Sequence, residues 1–345
     1  MKKLGRHSFL LSAPVRIASA GSFVGKMEGE GPLGRLFDVI CKDDTLGLKS
    51  WEQAESRMLE SAVRLALRKI GAEPEDADLF IGGDLLNQII SSGYAARQLK
   101  IPFIGLYGAC STMAEGLITA SMLTDGGFAG LAVCGASSHF SGVERQFRYP
   151  LEMGTQASPT SQRTVTGAAA VTLVSAARAV KRSEFGRVTV TGGTIGTVAD
   201  LGITDASNMG AAMAPAAADT ICKNLDELGV GPGHYDRIFT GDLGSFGTDM
   251  LYGLCRERGR DIEAVHEDCG MLMFSQEQKP VCGASGCGCS ATVLASHIMP
   301  KLESGEYKRV LFVATGALHS PVSNLQGESI PGIAHAAVIE RMGEI

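Results

Sequence analysis

Aromatic residues make up only 6% of this chain, with a single Trp, and no apolar run reaches the ~20 residues of a membrane-spanning helix. The start, MKKLGRHSFLLSAPVRIAS, is basic at its tip, but Ser and Pro interrupt its short apolar stretch. It therefore reads as neither signal peptide nor span, and a soluble chain in the cytosol is expected. Clusters of positive charge are also missing: 31 Lys and Arg against 37 Asp and Glu give a net charge of −6, which excludes a phosphate-tracking surface and a nucleic-acid partner. No Walker sequence or strand-linked dinucleotide fingerprint occurs, so no nucleotide cofactor is implied. Paired CxxC thiols are absent as well. The nine cysteines are odd in number and scattered through apolar surroundings, which suits a reducing compartment and excludes a disulfide framework. Cys269, Cys282, Cys287 and Cys289 lack the spacing of common zinc sites and are expected to be buried or turn thiols, with no metal bound.

Glycine is abundant instead, 44 of 345 residues where an average share of about 7% would give roughly 24, and this predicts tight turns and close backbone approaches. Ser50 to Ile70 reads as an amphipathic helix, with Ser50 and Gln53 at capping-box spacing, Ala54, Met58, Ala62 and Leu65 recurring at helical period, and Gly71 ending it. Short apolar strands alternate with helical patterns at 78–83, 102–107, 129–135, 187–192, 237–241 and 309–316. The class is α/β with buried strands.

The second half echoes the first. DLFIGGDLL at 78–86 resembles DRIFTGDLG at 236–244, and a shift of 179 places Cys110 on Cys289, Ser111 on Ser290, Leu123 on Leu302 and Gly126 on Gly305. TVTGAAAVTLVSA at 164–176 likewise parallels SIPGIAHAAVIER at 329–341. Two pseudo-equivalent halves, 1–180 and 181–345, are the economical reading.

The sharpest local feature is IPFIGLYGACSTMAEGLITASML, a strand, a Gly-Ala turn, Cys110 and a helix. A Cys at a helix N-terminus meets backbone N–H groups and the helix dipole, which favour a thiolate and can hold an oxyanion. The plainer alternative is a small buried hydrophobe at a strand-to-helix joint.

GACSTMAEGL resembles the nucleophile segment of the thiolase and 3-ketoacyl synthase superfamily, and TGAAAVTLVSA resembles its Gly-Ala-Val strand. Within that superfamily, SFVGKMEGEGPLGRLFD, IGGDLLNQIISS and TGDLGSFGTDML are similar to the stage V sporulation protein AD family of spore-forming bacteria. The resemblance spans essentially the whole chain. It implies a thiolase-like fold of two α/β halves in an α-β-α-β-α layering and a homodimer. It also implies a subunit of the spore membrane system that moves dipicolinic acid (pyridine-2,6-dicarboxylic acid), acting by binding that ligand with other transport subunits at the cytosolic face of the spore inner membrane, without an anchor of its own.

Condensing relatives need imidazole or amide donors beside the Cys. Where the resemblance implies one His, at the end of a second-half strand, this chain has Thr240, Gly241 and Asp242; where it implies the other, the Gly-rich turn CGASGCGCSAT around Gly286 holds neither His nor Asn. Condensation is therefore not expected, although Cys110 as the nucleophile of an acyltransferase or 3-ketoacyl synthase acting on acyl thioesters is the alternative.

His139 and His319 follow corresponding strands in GASSHF and GALHSP, and His319 is placed to approach Cys110. Asp84 and Asp242 end equivalent strands, where Asp serves either a ligand crevice or turn capping. The expected ligand-binding set is Cys110, Asp84, Ser111, Asp242, Gly286 and His319, with no resident cofactor; calcium, if it takes part, arrives with the ligand. Arg35 and Lys49, in the long Gly-rich connection at 29–53, are further candidates to pair with a ligand carboxylate.

Overall fold

The computed structural model describes residues 2–147 and 158–343. Ten strands form the continuous path of a 12-stranded sheet: β1 (Ser8–Val24), β2 (Leu79–Gly83), β3 (Phe103–Gly105), β4 (Leu131–Ser138), β5 (Gly167–Val174), β6 (Val188–Thr194), β7 (Arg237–Thr240), β8 (His266–Asp268), β9 (Arg309–Ala317) and β10 (Gly332–Arg341). The helices used below are α1 (Trp51–Lys69), α2 (Ile90–Leu99), α3 (Thr112–Asp125), α4 (Phe140–Phe147), α5 (Met209–Leu228), α6 (Gly244–Glu257) and α7 (Cys287–Val293). Short pairs at Lys2–Leu4, Val39–Ile40, Arg163–Thr164 and Ala284–Ser285 complete the strands.

The strand order is β3-β2-β4-β5-β1 followed by its mirror, β6-β10-β9-β7-β8. Numbered within each set of five, both read 3-2-4-5-1, with strands 2, 3 and 4 parallel and strand 5 antiparallel to its neighbours. The motif echo is thus an echo of topology. β1 joins the two sets: its start and Val15–Arg16 pair with β6, while Arg16–Val24 pairs with β5.

Helices α1 and α2 cover the outer face of the first set, and α5 and α6 that of the second. Between the two strand sets lies a middle layer. There α3 packs on β1, β2 and β4 from one side and on β9 and β10 from the other, and α7 packs on β4 and β5. The result is the α-β-α-β-α layering. Every residue of β4 and β5 is buried, which explains why their sequences are small and apolar throughout rather than alternating.

Local chemistry sets the elements. Ser50 caps α1, its Oγ accepting from the Gln53 N–H at 3.3 Å, and the buried stripe of Ala54, Met58, Leu59, Ala62, Val63 and Ala66 faces the sheet. A Cβ at Gly21 of β1 would sit 2.3 Å from the Ala62 carbonyl oxygen, so glycine is what lets α1 lie so close. The connection expected at 29–53 runs as far as Ser50 before α1 begins; between 30 and 50 it carries one short helical turn, Gly34–Leu36, and the two-residue strand Val39–Ile40, and is otherwise irregular. Among the described residues no helix is long and apolar enough to cross a membrane.

Candidate functional site

Cys110 lies where the parallel strands of the first set open toward the second. After β3 the chain makes a tight turn, Ala109–Ser111, before entering α3. Ala109, next to Cys110, sits in the left-handed region at φ +51°, a conformation that costs an L-residue about 1–2 kcal/mol. Side chains hold the turn: Ser111 Oγ donates to the Gly108 carbonyl at 2.6 Å and Thr112 Oγ1 to that of Ala109 at 2.7 Å. The second set presses on it from β9, where a Cβ at Gly316 would lie 2.6 Å from the Gly108 oxygen.

Asp242 arrives from the other side, two residues past β7. Its carboxylate is fully buried and accepts from the Gly286 N–H at 2.8 Å, from Thr315 Oγ1 at 2.8 Å and from the Cys110 thiol. Gly286 adopts φ +102°, open only to glycine, and so directs its N–H at this point from the start of α7. Burial pushes the Asp242 carboxyl up from 3.8 to about 7, the hydrogen bonds from Cys110, Gly286 and Thr315 opposing it.

These contacts correct the expected thiolate. Burial, the Asp242 carboxylate and the neighbouring Cys287 raise the Cys110 thiol well above its ordinary value, and the Gly286 N–H only partly offsets them. Burial first, and the adjacent Asp242 carboxyl second, outweigh the helix N-terminus, so Cys110 stays a protonated thiol beside Asp242.

Cys110 and Asp242 line a cavity of about 400 Å³. Its walls are apolar, from Leu85, Val143, Phe147, Met209 and Met213, and its other polar groups include Asn87, Tyr107, Glu144 and His319. The His319 ring is half-buried and lies against Phe147, ring centres 5.3 Å apart. No Lys or Arg is among the described residues of the lining, which instead contains two carboxylates.

The structure thus brings Cys110, Asp242 and His319 together, with Gly286 behind Asp242 and Ser111 bracing the turn. Asp84 stands apart from the lining. Its oxygens accept from the Leu86 N–H at 2.9 Å and the Ser92 N–H at 2.7 Å, tying the loop after β2 to α2. His139 is buried with Nε2 3.0 Å from the Asp44 carbonyl, and Arg35 and Lys49 are exposed; none of the three lines the cavity. The thiols of Cys282 and Cys287 donate to the carbonyls of Pro159 and Ser137, each at 2.9 Å. Among the described residues no group of three or more His, Cys, Asp or Glu is arranged to hold a metal ion.

Sequence reasoning missed Glu144, Phe147 and Thr315. Glu144 and Phe147 lie on one face of α4 at i, i+3 spacing, a signal that becomes readable only once α4 is known to border the cavity. Thr315, inside a buried strand, looks like any strand threonine until its hydroxyl is seen on Asp242.

Residues 5–340 match the family described as stage V sporulation protein AD. The chain is 45% identical over 343 residues to stage V sporulation protein AD of Bacillus subtilis (strain 168), covering 99% of each. Among solved structures it is similar to human mitochondrial 3-ketoacyl-CoA thiolase in complex with CoA, with a TM-score of 0.62 at 12% identity over 98% of this chain and 100% of that one. It is also similar to 3-oxoacyl-[acyl-carrier-protein] synthase III from Aquifex aeolicus VF5, with a TM-score of 0.55 at 13% identity over 94% and 99%. At such identities these likenesses show the fold alone, which is thiolase-like. The chain belongs to the stage V sporulation protein AD family, sporulation proteins built here on a thiolase-like fold.

Proposed function

We propose that this chain binds dipicolinic acid, or its calcium chelate, in the cavity at Cys110 and supports its uptake into the developing spore, without condensing acyl thioesters. The observation that carries this reading is the Asp242 carboxylate on the Cys110 thiol. Condensation needs a nucleophilic thiolate and donors that polarise a thioester carbonyl. A protonated thiol beside the Asp242 carboxyl supplies neither, and the His319 ring packs against Phe147.

A rigid, flat dicarboxylate suits what remains. The volume lies in the lower part of the ~300–1,000 Å³ range of small-molecule pockets, and apolar walls with a few convergent polar groups are the usual lining. Charge then selects the form of the ligand. Glu144 and Asp242 repel a free dianion, whereas calcium brought by the ligand neutralises it and gives both carboxylates a hard cation to face. Membrane attachment would come from partner subunits at the cytosolic face of the spore inner membrane, since no described helix can supply it, and the working unit would be a homodimer.

Calorimetric titration of the full chain with dipicolinate, with and without calcium, tests this reading, alongside assay of acyl-CoA with a malonyl donor. Saturable dipicolinate binding, tighter with calcium, and no condensed product are expected. Steady Cys110-dependent turnover of the thioesters, or no dipicolinate binding in either titration, would overturn it.

A further inference from the structure

A second cavity, of about 300 Å³, lies between α5, the end of α6 and the loop 197–201 that follows β6. None of its lining residues belongs to the cavity at Cys110. The loop is fastened at three points. Ala199 and Gly332 exchange backbone hydrogen bonds of 2.9 and 2.7 Å, Ser329 Oγ donates to the Asp200 carboxylate at 2.6 Å, and Thr197 Oγ1 accepts from Lys223 Nζ at 2.9 Å. The cavity is therefore formed before anything enters it.

Val198, Leu201, Pro215, Ala218 and Leu254 give it apolar walls, and two cations reach it as well. Lys223 Nζ lies 2.6 Å from one oxygen of Asp219 and Arg258 Nη1 lies 3.1 Å from the other, so a single carboxylate holds both positive charges at the cavity. Each cation keeps donors that these contacts do not use, since an ammonium carries three N–H groups and a guanidinium five. Asp200, the other acid in the lining, is exposed, and its oxygens accept from the Gly202 N–H at 2.8 Å and from Ser329. The contrast with the first cavity is one of charge: among the described residues that one is lined by carboxylates and by no Lys or Arg.

We propose that this second cavity binds a small organic anion carrying one carboxylate on an apolar body, with the carboxylate on Lys223 and Arg258 and the body against Leu201, Pro215 and Leu254. Apolar walls with a few convergent polar groups suit such a molecule and leave a bare inorganic anion without contacts over most of its surroundings. The planar guanidinium matches a carboxylate in shape as well as charge. Asp219 offsets one of the two cations, so one negative charge completes the balance, whereas the second charge of a phosphate monoester meets Asp219 and Asp200 with no cation left to answer it. No calcium is needed here. The site stands whether or not the cavity at Cys110 binds dipicolinate.

The test follows the fluorine NMR line of 3-fluorobenzoate titrated with the full chain in the absence of calcium, with 3-fluorobenzamide as its uncharged match and phenyl phosphate as a dianionic competitor. Expected are saturable broadening with the benzoate, affinity about tenfold weaker for the amide, and poor displacement by phenyl phosphate. Lys223→Met and Arg258→Met should each weaken benzoate binding about tenfold. So should Val198→Glu, which sets a negative charge at an exposed wall residue and leaves the Asp219 contacts intact, while Cys110→Phe should leave binding unchanged. The comparison of benzoate with amide needs no variant to fold. Absence of saturable benzoate binding, equal binding of the amide, efficient displacement by phenyl phosphate, full affinity in folded Lys223→Met, Arg258→Met and Val198→Glu, or loss of binding in Cys110→Phe would overturn the proposal.

Discussion

Asp84 and Asp242 occupy the same place in the two halves of this molecule, each following a Gly at the end of the second strand of its set, yet they do different work. Asp84 accepts from the N–H groups of Leu86 and Ser92 and so closes its own loop. Asp242 accepts from three different elements, Gly286 before α7, Thr315 in β9 and Cys110 before α3, and so joins the halves at the cavity. Their cysteine counterparts diverge likewise. Cys110 is half-exposed after a left-handed Ala109, whereas Cys289 is buried inside α7 with its thiol 3.8 Å from the Gly241 carbonyl. Duplication supplies matching residue types; what each does follows from whether its neighbours come from its own half or from both.

The largest effect is expected at Cys110. Cys110→Phe fills the cavity from its floor and should abolish dipicolinate binding, a loss above a hundredfold by calorimetry, while circular dichroism shows a folded chain. Next comes Asp242→Asn, which removes a charge facing the ligand's calcium. Affinity for the chelate should fall about tenfold, or ~1.4 kcal/mol, and Cys110 alkylation should quicken because the carboxylate that raises its thiol is gone.

A smaller effect follows pH. With the Asp242 carboxyl raised to about 7, free dipicolinate should bind several-fold better at pH 6 than at pH 8, and calcium should flatten that difference. The sign for stability is the same. Between about pH 3.8 and 7 the folded state holds a proton that the unfolded chain has released, so the contribution of Asp242 declines as pH rises through that window. Melting curves of Asp242→Asn should lack this decline. The smallest effect on binding belongs to Asp84→Asn: affinity within twofold of wild type, with about 1–3 kcal/mol lost in denaturant unfolding because a buried acceptor of two N–H groups is replaced. A tenfold loss of affinity in this variant would place Asp84 in the binding machinery and erase the contrast.

Much of the fold is legible because period and punctuation are local properties. The strand expected at 237–241 is observed as Arg237–Thr240, that at 309–316 as Arg309–Ala317, and the Ser50-capped helix as Trp51–Lys69. β1, the 17-residue strand joining the two strand sets, was hidden in an apolar start broken by Ser and Pro, because it changes partners midway and carries bulges where it does. α5 was equally hard to see, with Pro215 inside it and an alanine-rich run lacking clear polarity. In the site, Cys110, Asp242 and His319 could be named from strand ends. The charge state of Cys110 could not, since it depends on Asp242, 132 positions away in the chain.

The most direct test of the central claim is the rate at which iodoacetamide alkylates Cys110, measured by peptide mass spectrometry with and without saturating dipicolinate and calcium. A ligand seated against the Cys110 thiol should slow that reaction at least tenfold; an unchanged rate at saturation would mean that dipicolinate binds elsewhere or not at all.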